Sequence, residues 1–226
     1  MREYQIECIS LSKQYIRDKQ IVTAVDNINL RINQNEMVII KGRSGAGKST
    51  LLNLMCGLIK PSKGRVIIGN KCINELSGNA LSDLLLNQIG FIFQSFNLLP
   101  TYTVYENIEV GLIPKGGKRK MDKEIIVHFL EQFNLKDKGH LLPSELSVGQ
   151  QQKVAIIRTL VKQPSIIFAD EPTGSVDEET AGEILERLML LRKEKQVTLV
   201  VATHGNIPEK IADRIFILEN GCIRNL

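Results

Sequence analysis

Paired cysteines, a leader-like apolar stretch and long hydrophobic runs are all missing from this chain of 226 residues. Its four cysteines, Cys8, Cys56, Cys72 and Cys222, stand apart with no C-x-x-C spacing. That excludes a zinc knuckle or a redox dithiol and points to reduced, mostly buried thiols. The opening segment MREYQIECIS lacks the apolar stretch of a signal peptide, and no run approaches the ~18 apolar residues of a membrane-spanning helix. The expectation is a cytosolic chain that does not cross a bilayer on its own. Aromatics make up 5%, and the net charge of +4 comes from 29 Lys plus Arg against 25 Asp plus Glu with no basic stripe, so no nucleic-acid partner is expected. The one local excess, Lys115, Lys118, Arg119 and Lys120, lies in a glycine-containing stretch that reads as a solvated surface loop. Repeats, low-complexity segments and Pro/Gly/Ser linkers are also lacking, which leaves one globular unit. At 43% hydrophobic it can bury one substantial core.

What is present is an alternation of β and α patterns. TAVDNINLRI and EMVII, separated by Asn33-Gln34-Asn35, read as strands ahead of a glycine-rich loop. Residues 49–58 have helical spacing, GRVIIG reads as a short strand, residues 81–87 as a helix, and IGFIF as a buried strand. From Thr103 to Leu160 the pattern is mostly helical. SIIFA, VTLVVAT and RIFIL are pure apolar strands, interrupted by the charged amphipathic segment 177–195. Strands of that purity predict a parallel sheet covered on both faces, with the helical middle inserted in an α/β core.

The segment Gly42-Arg43-Ser44-Gly45-Ala46-Gly47-Lys48-Ser49 fits G-x-x-x-x-G-K-[ST] at every fixed position, after the strand MVIIK and before the helix STLLNLM. Glycines let the backbone N–H groups converge on phosphate oxygens, and the following helix adds its positive end. Lys48 would neutralise the β and γ phosphates, and the Ser49 hydroxyl would ligate Mg²⁺; Thr50 completes the nucleotide-contacting set. Such a loop needs a carboxylate for the metal and a group that activates water. Asp170 and Glu171, following the apolar run IIFA, would supply both: Asp170 would anchor Mg²⁺ through water and Glu171 would be the general base. A second helix N-terminus with Ser and Gly opens at Leu146-Ser147-Val148-Gly149-Gln150-Gln151-Gln152. Since one nucleotide already has its own loop, this second site would serve the nucleotide of a partner.

Here the chain resembles the ABC ATPase family, whose signature is L-S-G-G-Q, and the resemblance covers essentially its whole length. It implies a P-loop NTPase (RecA-like) core with a mostly parallel sheet, an N-terminal antiparallel β subdomain and a helical signature subdomain inserted at about 95–162, all within one domain of 1–226. It also implies roles at matching positions. Gln94 would touch Mg²⁺ and the attacking water, His204 would contact the γ-phosphate, and Tyr15 would stack on adenine. Ser147, Gly149 and Gln150 would meet the partner's nucleotide, and Ser175-Val176-Asp177 would form a dimer contact. His128 and His140 match no motif and are read as structural.

The segments FIFQSFNLLP, TVYENI and LPSELS look like the lipoprotein-release and macrolide-efflux branch. The resemblance thus implies an ATP-dependent homodimer on the cytoplasmic face, driving a separate membrane permease that exports or extracts a lipoprotein, peptide or antibiotic. An alternative is an ATPase pair that regulates a cell-wall, division or immunity protein without moving cargo. A soluble relative acting on ribosomes or DNA would carry tandem domains or long insertions, and a P-loop kinase is disfavoured by the signature. The chain departs from the family where Val148 replaces the first signature glycine, Lys153 the usual arginine, and Ser175-Val176 the commoner small residue and leucine. A β-branched residue beside a phosphate predicts weakened closure and slow turnover.

Overall fold

In a computed structural model the described residues are 4–18, 20–115, 119–205 and 207–225. Two sheets form. The first takes β1 (Tyr4–Arg17), β2 (Gln20–Asn33), β4 (Lys63–Ile68) and β5 (Lys71–Cys72), antiparallel in the order β2-β1-β4-β5. The second takes β3 (Met37–Lys41), β6 (Ile89–Ile92), β7 (Ile166–Asp170), β8 (Thr198–Thr203), β9 (Arg214–Glu219) and β10 (Cys222–Asn225) in the order β10-β9-β3-β8-β7-β6. Pairing in it is parallel except at the β9–β10 hairpin.

Alternation along the central strands decides which side each residue serves. Val38, Ile40, Phe168, Val200 and Ala202 face one core, shared with α1 (Lys48–Met55) and the inner face of the antiparallel sheet. Met37, Ile39, Ile167, Ala169, Leu199 and Val201 face the other, covered by α3 (Val104–Glu109), α4 (Arg119–Gln132), α5 (Val148–Leu160) and α6 (Glu178–Lys195). The expectation of a parallel sheet covered on both faces therefore holds.

Local signals place the helices. Ser77 caps α2 (Gly78–Asn87), which starts three residues earlier than the apolar spacing implies, because the cap and not the first leucine sets the boundary. Thr103 and Glu106 form a reciprocal capping box on α3, and Ser147 and Gln150 form another on α5. Asp177 caps α6, with Glu178 and Glu179 in its first turn and Arg192, Lys193 and Lys195 in its last, complementing the helix dipole. Three of these helices lie between β6 and β7 in the chain.

β1 pairs with β2 along its whole length, although backbone irregularities interrupt the register between Tyr4 and Ile6 and between Cys8 and Gln14. One sequence expectation needs amendment. Of the basic group expected in a loop, Lys118 lies outside the described residues. The backbone of Lys115 instead closes the 3₁₀ segment Val110–Lys115, and Arg119 and Lys120 open α4, whose buried Ile126, Phe129, Leu130 face draws the segment into a helix.

Phe168 is fully buried in the middle of β7, beside Phe91 of β6. Phe168→Ala is expected to cost about 3–5 kcal/mol, read as a lower urea midpoint with an unchanged m value.

Candidate active site

The parallel register brings strand ends together: Lys41 of β3 pairs with Thr203 of β8, Asp170 of β7 with Ala202, and Ile92 of β6 with Ala169. Loops leaving these C-terminal ends share one edge, where ligands of open α/β sheets bind. The first loop runs from Gly42 to α1. Gly47 has φ 101°, and a Cβ there would lie 2.1 Å from the carbonyl oxygen of Ala24, so only glycine fits. As N-cap, Gly47 lends no side chain to the first turn of α1, which leaves that helix end for an anion. Lys48 is buried, and its Nζ donates to the carbonyl oxygens of Gly42 (2.9 Å) and Arg43 (3.3 Å).

Glu171 follows β7 in a left-handed conformation, φ 49°. Both of its oxygens are held. Oε1 accepts from the His204 backbone N–H (2.9 Å) and lies 2.6 Å from His204 Nδ1 and 3.5 Å from Lys48 Nζ. Oε2 accepts from the Thr203 hydroxyl (3.1 Å), which itself accepts from the Gly205 N–H (2.9 Å). The site thus holds a buried ammonium beside two buried carboxylates, an arrangement that a cation and phosphate oxygens can complete.

Asp170 tests the fit of a metal. Its carboxyl is raised above the usual range, first by burial, with the Ser49 hydroxyl bond opposing the shift. Its Oδ1 is buried with no hydrogen-bond partner among the described residues. A stranded carboxylate oxygen beside a hydroxyl suits Mg²⁺, which takes few protein ligands and fills its shell with phosphate and water.

A cleft of about 260 Å³ is lined by Ala24, Ser44, Gly45, Gly47, Lys48, Ser49, Thr50, Gln94, Glu171 and His204. Beside it a larger opening of about 900 Å³ takes in Gly42, Arg43, Ala46 and the β9–β10 turn at Glu219 and Asn220. Tyr15, Ser147, Gly149 and Gln150 are not among the described residues lining either. Tyr15 sits half-exposed near the tip of the β1–β2 hairpin, opposite Val22, with Lys13 Nζ 5.2 Å from its ring centre. Ser147 is exposed at the start of α5, and Val148 is 49% exposed beside it. A Cβ on Gly149 would lie 3.0 Å from the Thr180 methyl, so this glycine also lets α5 approach α6. Lys153 pairs with Glu183 of α6. Asp177 is committed to capping α6 through Thr180.

Three residues to which the sequence assigns no role of their own bear on the site: Thr203, which fixes Glu171, and Gln152 and Arg158 on α5. Arg158 donates to the carbonyl oxygens of Phe96 and Asn97 at 2.6 Å each, holding the turn after Gln94. Thr203 alone has a legible signal, its place at the strand end next to His204.

The sequence profile of the family described as ABC transporter matches residues 25–174. Among curated proteins, the chain is 41% identical over 203 residues to the ABC transporter ATP-binding protein YtrE of Bacillus subtilis, covering 90% of this chain and 88% of that protein. It is 38% identical over 214 residues to the lipoprotein-releasing system ATP-binding protein LolD of Rickettsia bellii, covering 95% of each. Among solved structures, it superimposes on the dimeric ABC transporter cassette MJ0796, from Methanocaldococcus jannaschii, with a TM-score of 0.92 at 37% identity over 98% of both chains. A second MJ0796 structure, a post-hydrolysis state bound to ADP and Pi, gives 0.91 at 36% identity, again over 98% of both.

Because burial lifts the folded Asp170 carboxyl above its unfolded value, ionising it costs the nucleotide-free fold stability; the penalty builds as pH rises from the ordinary Asp value of 3.8 and is complete once the pH exceeds the raised folded value. Asp170→Asn is expected to raise the thermal midpoint at pH 7. The gain shrinks as pH falls and vanishes below the ordinary Asp value of 3.8, where the carboxyl is protonated folded or unfolded. Melting curves across pH check the sign.

Proposed function

The chain belongs to the ABC transporter family as an ATP-binding subunit, and from that premise we propose that it hydrolyses ATP as a head-to-tail pair to drive a separate membrane protein. The observation that carries the pairing is the position of the signature. Ser147 is exposed at a helix N-terminus and lies outside the cleft that contains Lys48 and Glu171. A nucleotide in that cleft therefore needs the signature of a second copy, and the relative MJ0796 has been solved as a dimer.

In the proposed cycle the backbone from Gly42 to Ser49 cradles the phosphates, and Thr50 follows in the first turn of α1. Lys48 leaves the carbonyl oxygens of Gly42 and Arg43 for the β and γ phosphates. Mg²⁺, held by Ser49 and Asp170 with Gln94 at its edge, would neutralise charge on the phosphate oxygens. His204 leaves Glu171 for the γ-phosphate. Glu171, freed from that contact but still fixed by Thr203, takes the proton of the attacking water. The exposed Tyr15 ring offers a face to adenine. Ser147, Gly149 and Gln150 close on the partner's nucleotide, and the helices between β6 and β7 form the subdomain that carries them.

No helix among the described residues is long and apolar enough to cross a membrane. Work on a membrane therefore requires a separate permease, at the cytoplasmic face where ATP is available. The LolD relatives and the FIFQSFNLLP segment favour a cargo that is extracted or exported, a lipoprotein, peptide or antibiotic.

The test is ATP hydrolysis against protein concentration, alone and with the co-purified membrane subunit; a rate linear in protein and indifferent to that subunit would overturn the paired reading. Glu171→Gln is expected to lower hydrolysis by about 10²-fold or more while leaving an ATP-dependent dimer visible by size-exclusion chromatography. Val148→Gly is expected to raise the rate of the assembled complex several-fold, since it removes a β-branched side chain beside the partner's phosphate. An unchanged rate would show that Val148 does not limit closure.

A further inference from the structure

Gln152 lies on α5 and is 1% exposed. Its Nε2 donates to the carbonyl oxygen of Pro172 at 2.9 Å, while its Oε1 is buried with no donor among the described residues. As a stabilising element this is a poor residue, because one bond is gained and one acceptor is stranded. The importance of the bond lies in where it goes. Pro172 directly follows Glu171, inside a turn closed by the Gly174 N–H on the Glu171 carbonyl at 3.1 Å. Glu171 enters that turn left-handed, and a Cβ on Gly174 would already press on its Cβ at 3.3 Å. The Gly174 bond and the left-handed Glu171 fix the path of this turn, so a displacement of the Pro172 carbonyl would be passed to the Glu171 backbone and its carboxylate.

The other end of the same lever is the signature. Ser147 caps α5, and Gln152 follows one and a half turns later on the same helix. Val154, Ile156, Ile157 and Leu160 bury the body of the helix, so it moves as a rod.

We propose that Gln152 is a positioning residue that ties Glu171 to the signature helix, so that closing Ser147 and Gly149 on the partner's nucleotide sets the base in this chain's own site. The inference rests on the paired reading and on Glu171 as base. In a head-to-tail pair it makes each base responsive to the nucleotide in the opposite site, without any contact between the two nucleotides.

The test is Gln152→Met in the full chain assembled with its membrane subunit. Methionine keeps the length and removes the stranded acceptor together with the donor, so stability should change little. The expected result is a fall in kcat of about tenfold, with KM for ATP unchanged within about twofold and a melting temperature close to that of the parent. Gln152→Leu should do the same. Thr159→Val provides the control, because it removes a bond from the same helix to the Phe91 carbonyl that does not run to the Glu171 turn; it should leave kcat unchanged. Parental kcat in both Gln152 variants overturns the proposal. So does a loss matched by Thr159→Val or by equal losses in KM and melting temperature, since either marks a general loosening of α5. Full hydrolysis by Glu171→Gln would instead remove the underlying reading, whereas an inactive Glu171→Gln beside an active Gln152→Met removes only the link.

Discussion

The arrangement of the site depends on one carboxylate, that of Glu171, being held from several directions at a strand end. Lys48 reaches it from the loop after β3, and Thr203 and His204 reach it from the end of β8. This convergence is possible only because β3, β8 and β7 run parallel and end in register, so their exits share one edge. An antiparallel neighbour would send one of these loops to the far side of the sheet. The glycines of the loop serve the same end: Gly47 lets the chain pass against the Ala24 carbonyl and still deliver Lys48 to the acidic strand end.

In this arrangement the charges occupy one another. Lys48 is folded onto carbonyl oxygens of its own loop, His204 onto Glu171, and Asp170 keeps a buried oxygen without a hydrogen donor among the described residues. Buried charges are tolerable when paired, and each pair here is one that a phosphate or a divalent cation can replace at similar geometry. In the proposed cycle a nucleotide would exchange partners within a prepared site and need not build a new one.

The signature helix connects this site to the outside. Its N-terminus is exposed, its middle touches the turn after Glu171 through Gln152, and its last turn holds the segment after Gln94 through Arg158. Gly149 sits against Thr180 of α6, so the glycine at that position serves packing within the chain. Val148 is about half-exposed, so the fold accepts a β-branched residue there without having to bury it.

Much of this was legible in the residues alone. The P-loop, the acidic pair at 170 and 171, and the strand–loop–helix alternation all follow from local spacing, because backbone conformation and strand burial are imposed by near neighbours in the chain. Even the faces of the central strands follow from alternation. What the chain order could not reveal is which strand ends meet. Thr203 as a second holder of Glu171, Gln152 on the Pro172 carbonyl and Arg158 on the 96–97 turn are contacts between residues 20 to 62 positions apart. They leave no periodic trace, since neither the last of three successive glutamines nor a lone Thr or Arg has a spacing that betrays its partner. The sequence by itself determined which groups are available to this protein, a glycine-rich P-loop with its lysine and an acidic pair at a strand end. Only the tertiary structure decided how they are held, because parallel strand order and helix packing set the distances over which hydrogen bonds and charges act.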